Sequence, residues 1–142
     1  MAGARLGYAL GPKGLIADLE KLKYATNPYN VNRLTMRLGE ATVEAEAYYQ
    51  EKCAAIIRTR EDTARKLKEL GFEVLPSQTN FLFVKTDKLG GGELYRKLKD
   101  KGILVRHFTK ESIRDYNRIT IGSREEMEAF IETVKEILEE KQ

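Results

Sequence analysis

The spacing of apolar residues changes period along the chain, and the changes mark its elements. From Lys13 to Tyr24 the apolar positions Leu15, Ile16, Leu19 and Leu22 recur at helical spacing. Pro28 interrupts them, with Asn27 and Asn30 beside it as turn residues. A second helix is predicted to start behind Asn30 or Asn32 as N-cap and to run through Leu34, Met36, Leu38 and Val43. From Glu44 to Leu70 no proline intervenes. There Cys53, Ile56, Ile57, Ala64, Leu67 and Leu70 recur near one face, while Glu, Lys and Arg fill the other. Gly71 ends the pattern at the C′ position. A helix from Asn32 to Leu70 would be too long for an ordinary globular domain, so a break is expected near Glu44–Tyr49. A domain boundary is expected with it, dividing residues 1–44 from residues 45–142.

Ahead of the first helix, Leu6-Gly7-Tyr8-Ala9-Leu10 reads as a short strand closed by Gly11-Pro12. A strand so near the first residue needs neighbours to pair with, and nothing nearby offers one. The expectation is that an upstream portion once supplied them. Behind Gly71 the period falls to two. Phe72–Leu75 reads as a strand, Pro76–Thr79 as a connection, and Asn80–Lys85 as a strand apolar on both faces and therefore central in its sheet. Lys88–Gly92 is a glycine-rich turn, and Leu94 and Leu98 give Glu93–Lys101 a helical period. Ser123 and Glu126 form a capping box ahead of a helix whose inner face is Met127, Phe130, Ile131, Val134, Ile137 and Leu138. Residues from about 45 onward thus read α, β, β, α, β, β, α. The fold class is α/β, with an α+β small domain built as a two-layer sandwich, one sheet with helices on one face.

Between the last two helices lies Gly102–Gly122, the stretch with the most chemistry. Ile103, Leu104 and Val105 lead into Arg106; Arg118 leads into Ile119, Thr120 and Ile121. β-Branched residues make both runs strands. Alternation puts Arg118 and Thr120 on one face and Ile119 and Ile121 on the other. An arginine on a core strand is costly to bury without an anionic partner, so two of them suggest a place prepared for carboxylate or phosphate. The competing reading has both guanidinium groups reaching water from strand ends.

Composition narrows the classes. The chain has 142 residues, enough for a domain with a real core, and its net charge of +3 is spread among mixed signs. A dedicated nucleic-acid binder gathers its basic residues on one face, so nucleic acid is not an expected partner. No apolar run approaches the roughly 20 residues of a membrane helix. The N-terminal MAGARLGYALGPKG, broken by glycines and Arg5, is not a signal peptide, and the cytoplasm is the expected address. One cysteine, Cys53, and one histidine, His107, cannot build an ordinary zinc site. Cys53 is expected to pack as a small apolar residue, and His107 to point to the face opposite Arg106. Gly90, Gly91 and Gly92 lack a preceding strand and a lysine on the right side, so they are a plain loop and no phosphate cradle.

Four segments, in order and at sensible distances, resemble the C-terminal part of the histidinol-phosphate aminotransferase family. They are Ala2-Gly3-Ala4-Arg5-Leu6-Gly7-Tyr8, Pro28-Tyr29-Asn30-Val31-Asn32, Pro76-Ser77-Gln78-Thr79-Asn80-Phe81 and the Gly102–Gly122 stretch. The family consists of fold-type-I transferases dependent on pyridoxal 5′-phosphate (PLP). The resemblance implies that Arg5 binds the cofactor phosphate, Arg118 the substrate α-carboxylate and Arg106 the substrate phosphate. Asn80 and Asn30 match segments at the rim of the site, although Asn30 also reads as an ordinary turn or cap residue. The family's Schiff-base lysine lies shortly before the arginine matched by Arg5, at a position that falls ahead of Met1. Neither Lys13 nor Lys110 stands in a matching context, so no residue of this chain is assigned as catalytic. The aspartate and the aromatic that hold the cofactor ring also belong upstream, and Ala4 replaces the usual leucine.

What the resemblance implies is a C-terminal piece of such an enzyme, with its first 44 residues or so left over from the large domain. The whole enzyme transfers an amino group between glutamate and imidazole-acetol phosphate in histidine biosynthesis, and works as a homodimer. The piece alone is expected to be inactive. The threonine-phosphate decarboxylase branch has similar features, and a non-catalytic anion-binding or interaction module is the reading from another class.

Overall fold

A computed structural model describes residues 2–140, apart from the side chain of Ala2; Met1 and the last two residues of the expected domains lie outside the described residues. The chain forms two compact units, Met1–Glu51 and Lys52–Gln142.

In the first unit a single 3-10 turn at Ala2–Ala4 leads into irregular chain, and two helices follow, α1 (Lys13–Thr26) and α2 (Arg33–Glu44). The strand expected at Leu6–Leu10 does not form. A strand needs a partner for its N–H and C=O groups, and this unit holds no other strand among the described residues. Asn32 caps α2 by accepting a hydrogen bond from the Thr35 N–H at 2.8 Å, so Asn32 rather than Asn30 is the cap. Neither helix buries a residue. Leu15, Leu19, Leu22, Leu34, Met36 and Val43 are all exposed.

The long helical pattern breaks at Ala45, inside the expected interval, and α3 runs from Glu46 to Glu69. Only its later half is covered, through Arg60, Thr63 and Leu67. Cys53 lies in the uncovered half and is exposed, contrary to the expectation that it packs. Gly71, at φ +90°, closes α3 in a Schellman turn: Phe72 N–H reaches Leu67 O and Gly71 N–H reaches Lys68 O, both at 3.0 Å. The chain then enters β1 (Glu73–Val74) and β2 (Phe81–Lys85).

Next comes α4 (Gly91–Asp100), which takes Gly91 and Gly92 into its first turn. Gly91 is required there by space. A Cβ on it would lie 2.6 Å from the Asp115 carbonyl oxygen and 2.7 Å from that of Arg114. The glycines therefore admit a backbone. The same turn geometry recurs at Gly102 (φ +82°), where Ile103 N–H bonds Leu98 O at 2.8 Å. The Ile103–Val105 run does not join the sheet as expected. Ile103 and Val105 pack on the core instead, and β3 is only Arg106–His107. β4 is Asn117–Thr120, and α5 is Arg124–Glu139. The predicted capping box is present, with Ser123 N–H on Glu126 Oε2 at 2.7 Å and Glu126 N–H on Ser123 Oγ at 3.2 Å.

The four strands make one antiparallel sheet in the order β1-β2-β4-β3, which puts β2 inside, as its apolar composition requires. Leu82, Val84 and Ile119 share one face and merge with Leu67, Leu94, Leu98, Phe130, Ile131, Val134 and Ile137 into one core. The mixed α/β fold expected from the period changes is thus present. Asn117 is fully buried among these residues, with its Nδ2 donating to Gly91 O at 2.9 Å. Replacing the fully buried Leu98 by Ala should cost about 2–5 kcal/mol, from lost burial plus the cavity left behind. Urea unfolding of the chain followed by circular dichroism measures it, with the midpoint expected to fall and the slope to stay.

Candidate functional site

Because one face of the sheet is filled by the core, the other carries its polar and aromatic residues. The register places Phe81 opposite Thr120, Phe83 opposite Arg118, and Arg118 opposite Arg106. Directly opposed residues of antiparallel strands share a face, so both arginines stand side by side on the outer one. Like charges in that arrangement repel unless something offsets them. Aromatic rings offset part of it: the Arg118 guanidinium carbon lies 5.2 Å from the Phe81 ring centre, and that of Arg106 lies 5.3 Å from Phe108. Phe83 ties the rings together, stacking on Tyr116 at 4.6 Å and meeting Phe108 edge-on at 5.8 Å. Arg118 Nε is buried and has no hydrogen-bond partner. Arg106 is exposed. The pair therefore offers two donor forks on an aromatic floor, and one fork retains a buried N–H with nothing to bond. Such an arrangement suits a carboxylate or phosphate, whose oxygens accept from guanidinium two at a time.

Asn80 sits where β2 begins, one residue before Phe81. Its carbonyl accepts the Ile121 N–H at 2.9 Å, which binds the turn to the end of β4. Within the turn Ser77 Oγ donates to Phe81 O at 2.6 Å and accepts from Thr79 N–H at 3.2 Å. From outside, Arg60 of α3 donates from Nη1 to Thr79 O at 2.8 Å. Arg60 is buried, whereas the sequence pattern assigned the arginines of α3 to its solvated face. The signal that could have found it is positional. Arg60, Thr63 and Leu67 step along one side of the helix at spacings of three and four.

Arg5 and Asn30 belong to the Met1–Glu51 unit. Arg5 has φ 56°, a left-handed backbone uncommon for a non-glycine residue, and its side chain is exposed. Asn30 is exposed in the turn before the Asn32 cap. His107 faces away from Arg106, opposite Asn117, and stacks on Tyr95 of α4 at 5.8 Å. Among the described residues no group of three or more His, Cys, Asp or Glu side chains could hold a metal ion.

The sequence pattern of aminotransferase class I and II matches residues 1–134. The chain belongs to that family. Histidinol-phosphate aminotransferase of Brachyspira hyodysenteriae is 46% identical over 138 residues, 97% of this chain and 39% of that protein. The enzyme of the same name from Syntrophus aciditrophicus is 47% identical over 137 residues, 96% of this chain and 38% of its own length. The chain thus spans less than half the length of these relatives. Among solved structures, a histidinol-phosphate aminotransferase from Sinorhizobium meliloti in complex with pyridoxal 5′-phosphate superposes with a TM-score of 0.78. It is 24% identical, and the match covers 100% of this chain and 39% of that one. The likeness places the fold among the fold-type-I transferases.

The family implies PLP. Arg5 is exposed, and a guanidinium has the chemistry to meet a phosphate. An amine that is to react with the cofactor must shed its proton, which burial or a neighbouring cation promotes. No lysine among the described residues is buried, and the four half-buried ones, Lys66, Lys85, Lys97 and Lys135, are each paired with a carboxylate.

Beside the arginine pair, Glu73, Lys85 and Tyr116 hold the neighbouring corner of the outer face. Tyr116 Oη donates to Glu73 Oε1 at 2.7 Å, and Lys85 Nζ lies 3.1 Å from Glu73 Oε2. The tyrosine hydroxyl first, and the ammonium second, hold the Glu73 carboxyl below its ordinary value of 4.5. A carboxyl depressed by folding stabilises the fold above its unfolded value, and that stabilisation is lost as pH falls through the folded one. E73Q is therefore expected to flatten the decline of stability below about pH 4.5, measured as urea midpoints from about pH 3 to about pH 7.

Proposed function

We propose that this chain is the C-terminal portion of a histidinol-phosphate aminotransferase, and that it carries the substrate-anion end of the amino-transfer site. In this reading Arg118 binds the substrate α-carboxylate and Arg106 the substrate phosphate. Asn80 and Asn30 line the rim, and Arg5 meets the phosphate of PLP. The reaction moves an amino group between glutamate and imidazole-acetol phosphate. The cofactor, when bound, carries that group from one substrate to the other; the residues of this chain bind and orient the anionic ends. Residues 1–44 belong to a large cofactor-binding domain and residues 45–142 to a small one. The working enzyme is a cytoplasmic homodimer, and the lysine that reacts with PLP lies outside these 142 residues.

The observation that carries this reading is the cross-strand pairing of Arg106 and Arg118 on the outer sheet face, with a buried Arg118 Nε that has no partner. A solvated strand-end arginine would have no reason to keep that N–H from water. The names and identities of the relatives support the choice of substrate class.

Inorganic phosphate titrated into the chain and followed by calorimetry tests the site. R118Q and R106Q should each weaken binding by about 1.5–3 kcal/mol, roughly ten- to hundredfold. Binding untouched by both substitutions would remove the assignment. The purified chain, supplied with PLP, glutamate and imidazole-acetol phosphate, is expected to show no transaminase turnover. Turnover free of contaminating full-length enzyme would show that the reactive amine is here after all. The exposed apolar residues of α1 and α2 are expected to make the isolated chain associate, so its light-scattering mass should rise with concentration.

A further inference from the structure

The structure assigns Arg60 as a positioning residue. Its buried guanidinium holds the Thr79–Asn80 turn from the helix side, and through Phe81 sets the orientation of Arg118. The inference rests on the reading of Arg118 as the anion ligand and names what stands behind it.

Burying a guanidinium is costly, and the cost is usually met by a carboxylate. Arg60 is 6% exposed, and the hydrogen bond it makes is to a backbone carbonyl, Thr79 O, at 2.8 Å; it takes part in no ion pair among the described residues. A neutral side chain would fill this place with less penalty if filling were all that was needed. The bond lands where the turn has most leverage. Thr79 O is tied to α3, the next carbonyl, Asn80 O, is tied to Ile121 N–H, and the next residue, Phe81, carries the ring on which Arg118 lies. Two tethers from different elements fix adjacent peptide units, and with them the backbone from which the Phe81 ring projects. The guanidinium stacked on it inherits that restraint. Ser77 and Thr79 side chains stitch the turn internally, but they bond only within Ser77–Phe81 and cannot fix it relative to the helices. Arg60 supplies that outside reference.

The test uses the 142-residue chain. Proton–nitrogen NMR spectra are recorded for wild type, R60M and R60K. R118Q assigns the Arg118 Nε–Hε signal by its loss, and V134A serves as a truncation of the core on α5. In R60M the Arg118 Nε–Hε signal is expected to shift and to exchange faster with solvent. R60K, with one cationic donor group at shorter reach, should move it the same way by less, and it decides the matter if R60M does not fold. V134A should leave it in place. Inorganic phosphate should bind R60M roughly tenfold more weakly than wild type, the lower end of what a partner behind a liganding group contributes. A signal unmoved in the folded Arg60 variants, or moved as far by V134A, overturns the positioning role. A signal that moves while wild type binds no phosphate keeps that role and removes the anion reading, so the two failures are distinguishable.

Discussion

Two guanidinium groups stand opposite each other on adjacent strands, and the sheet is arranged to tolerate them. Arg106 and Arg118 are register partners, and their mutual repulsion is met by stacking on Phe108 and Phe81. The arrangement depends on register. A slip of one residue between β4 and β2 would turn Arg118 into the core and Ile119 out of it. That slip is blocked from the opposite face, where Leu82 and Ile119 are paired and buried. Packing on one side of the sheet thus fixes the electrostatics on the other.

The helices contribute by what they bury and by how they end. α3 and α4 each stop in a glycine-centred Schellman turn, which sends the chain directly toward the sheet. α4 starts where Gly91 lets the backbone of Arg114 and Asp115 come close, and Asn117 bonds the Gly91 carbonyl from the start of β4. The strand that carries Arg118 is therefore anchored at both ends, by Asn117 at one and by the Ile121–Asn80 bond at the other. A side chain on a strand fixed in this way needs little reordering to meet a partner.

Local rules read several features correctly from the residues alone. Asn32, one of the two candidate caps, and the Ser123–Glu126 pair cap helices because their side chains satisfy N–H groups within a few residues. Gly71 ends α3 because only glycine adopts φ near +90° without strain. Ile119 and Ile121 go inward and Arg118 outward by simple alternation. The readings that failed were those needing a distant partner. Leu6–Leu10 has strand composition but no strand to pair with in its unit, and Ile103–Val105 has it but spends its apolar side chains on the core. Cys53 has a helical position like that of Leu67, yet only the later half of α3 is covered.

The sequence by itself determined the order of the five helices and of the strands behind Gly71, the cap at Ser123 and the stop at Gly71, and the alternation of β4, because those follow from chain-local hydrogen bonding and periodicity. Its motifs also pointed to the aminotransferase family that the match over residues 1–134 establishes. Only the tertiary structure decided that Arg106 faces Arg118, that Arg60 is buried against the Thr79 carbonyl, and that Arg118 Nε is left without a partner. The first two join residues well apart along the chain, and the third depends on what such contacts leave covered. Such contacts are fixed by which surfaces the whole unit can bury together, and no local pattern records that choice.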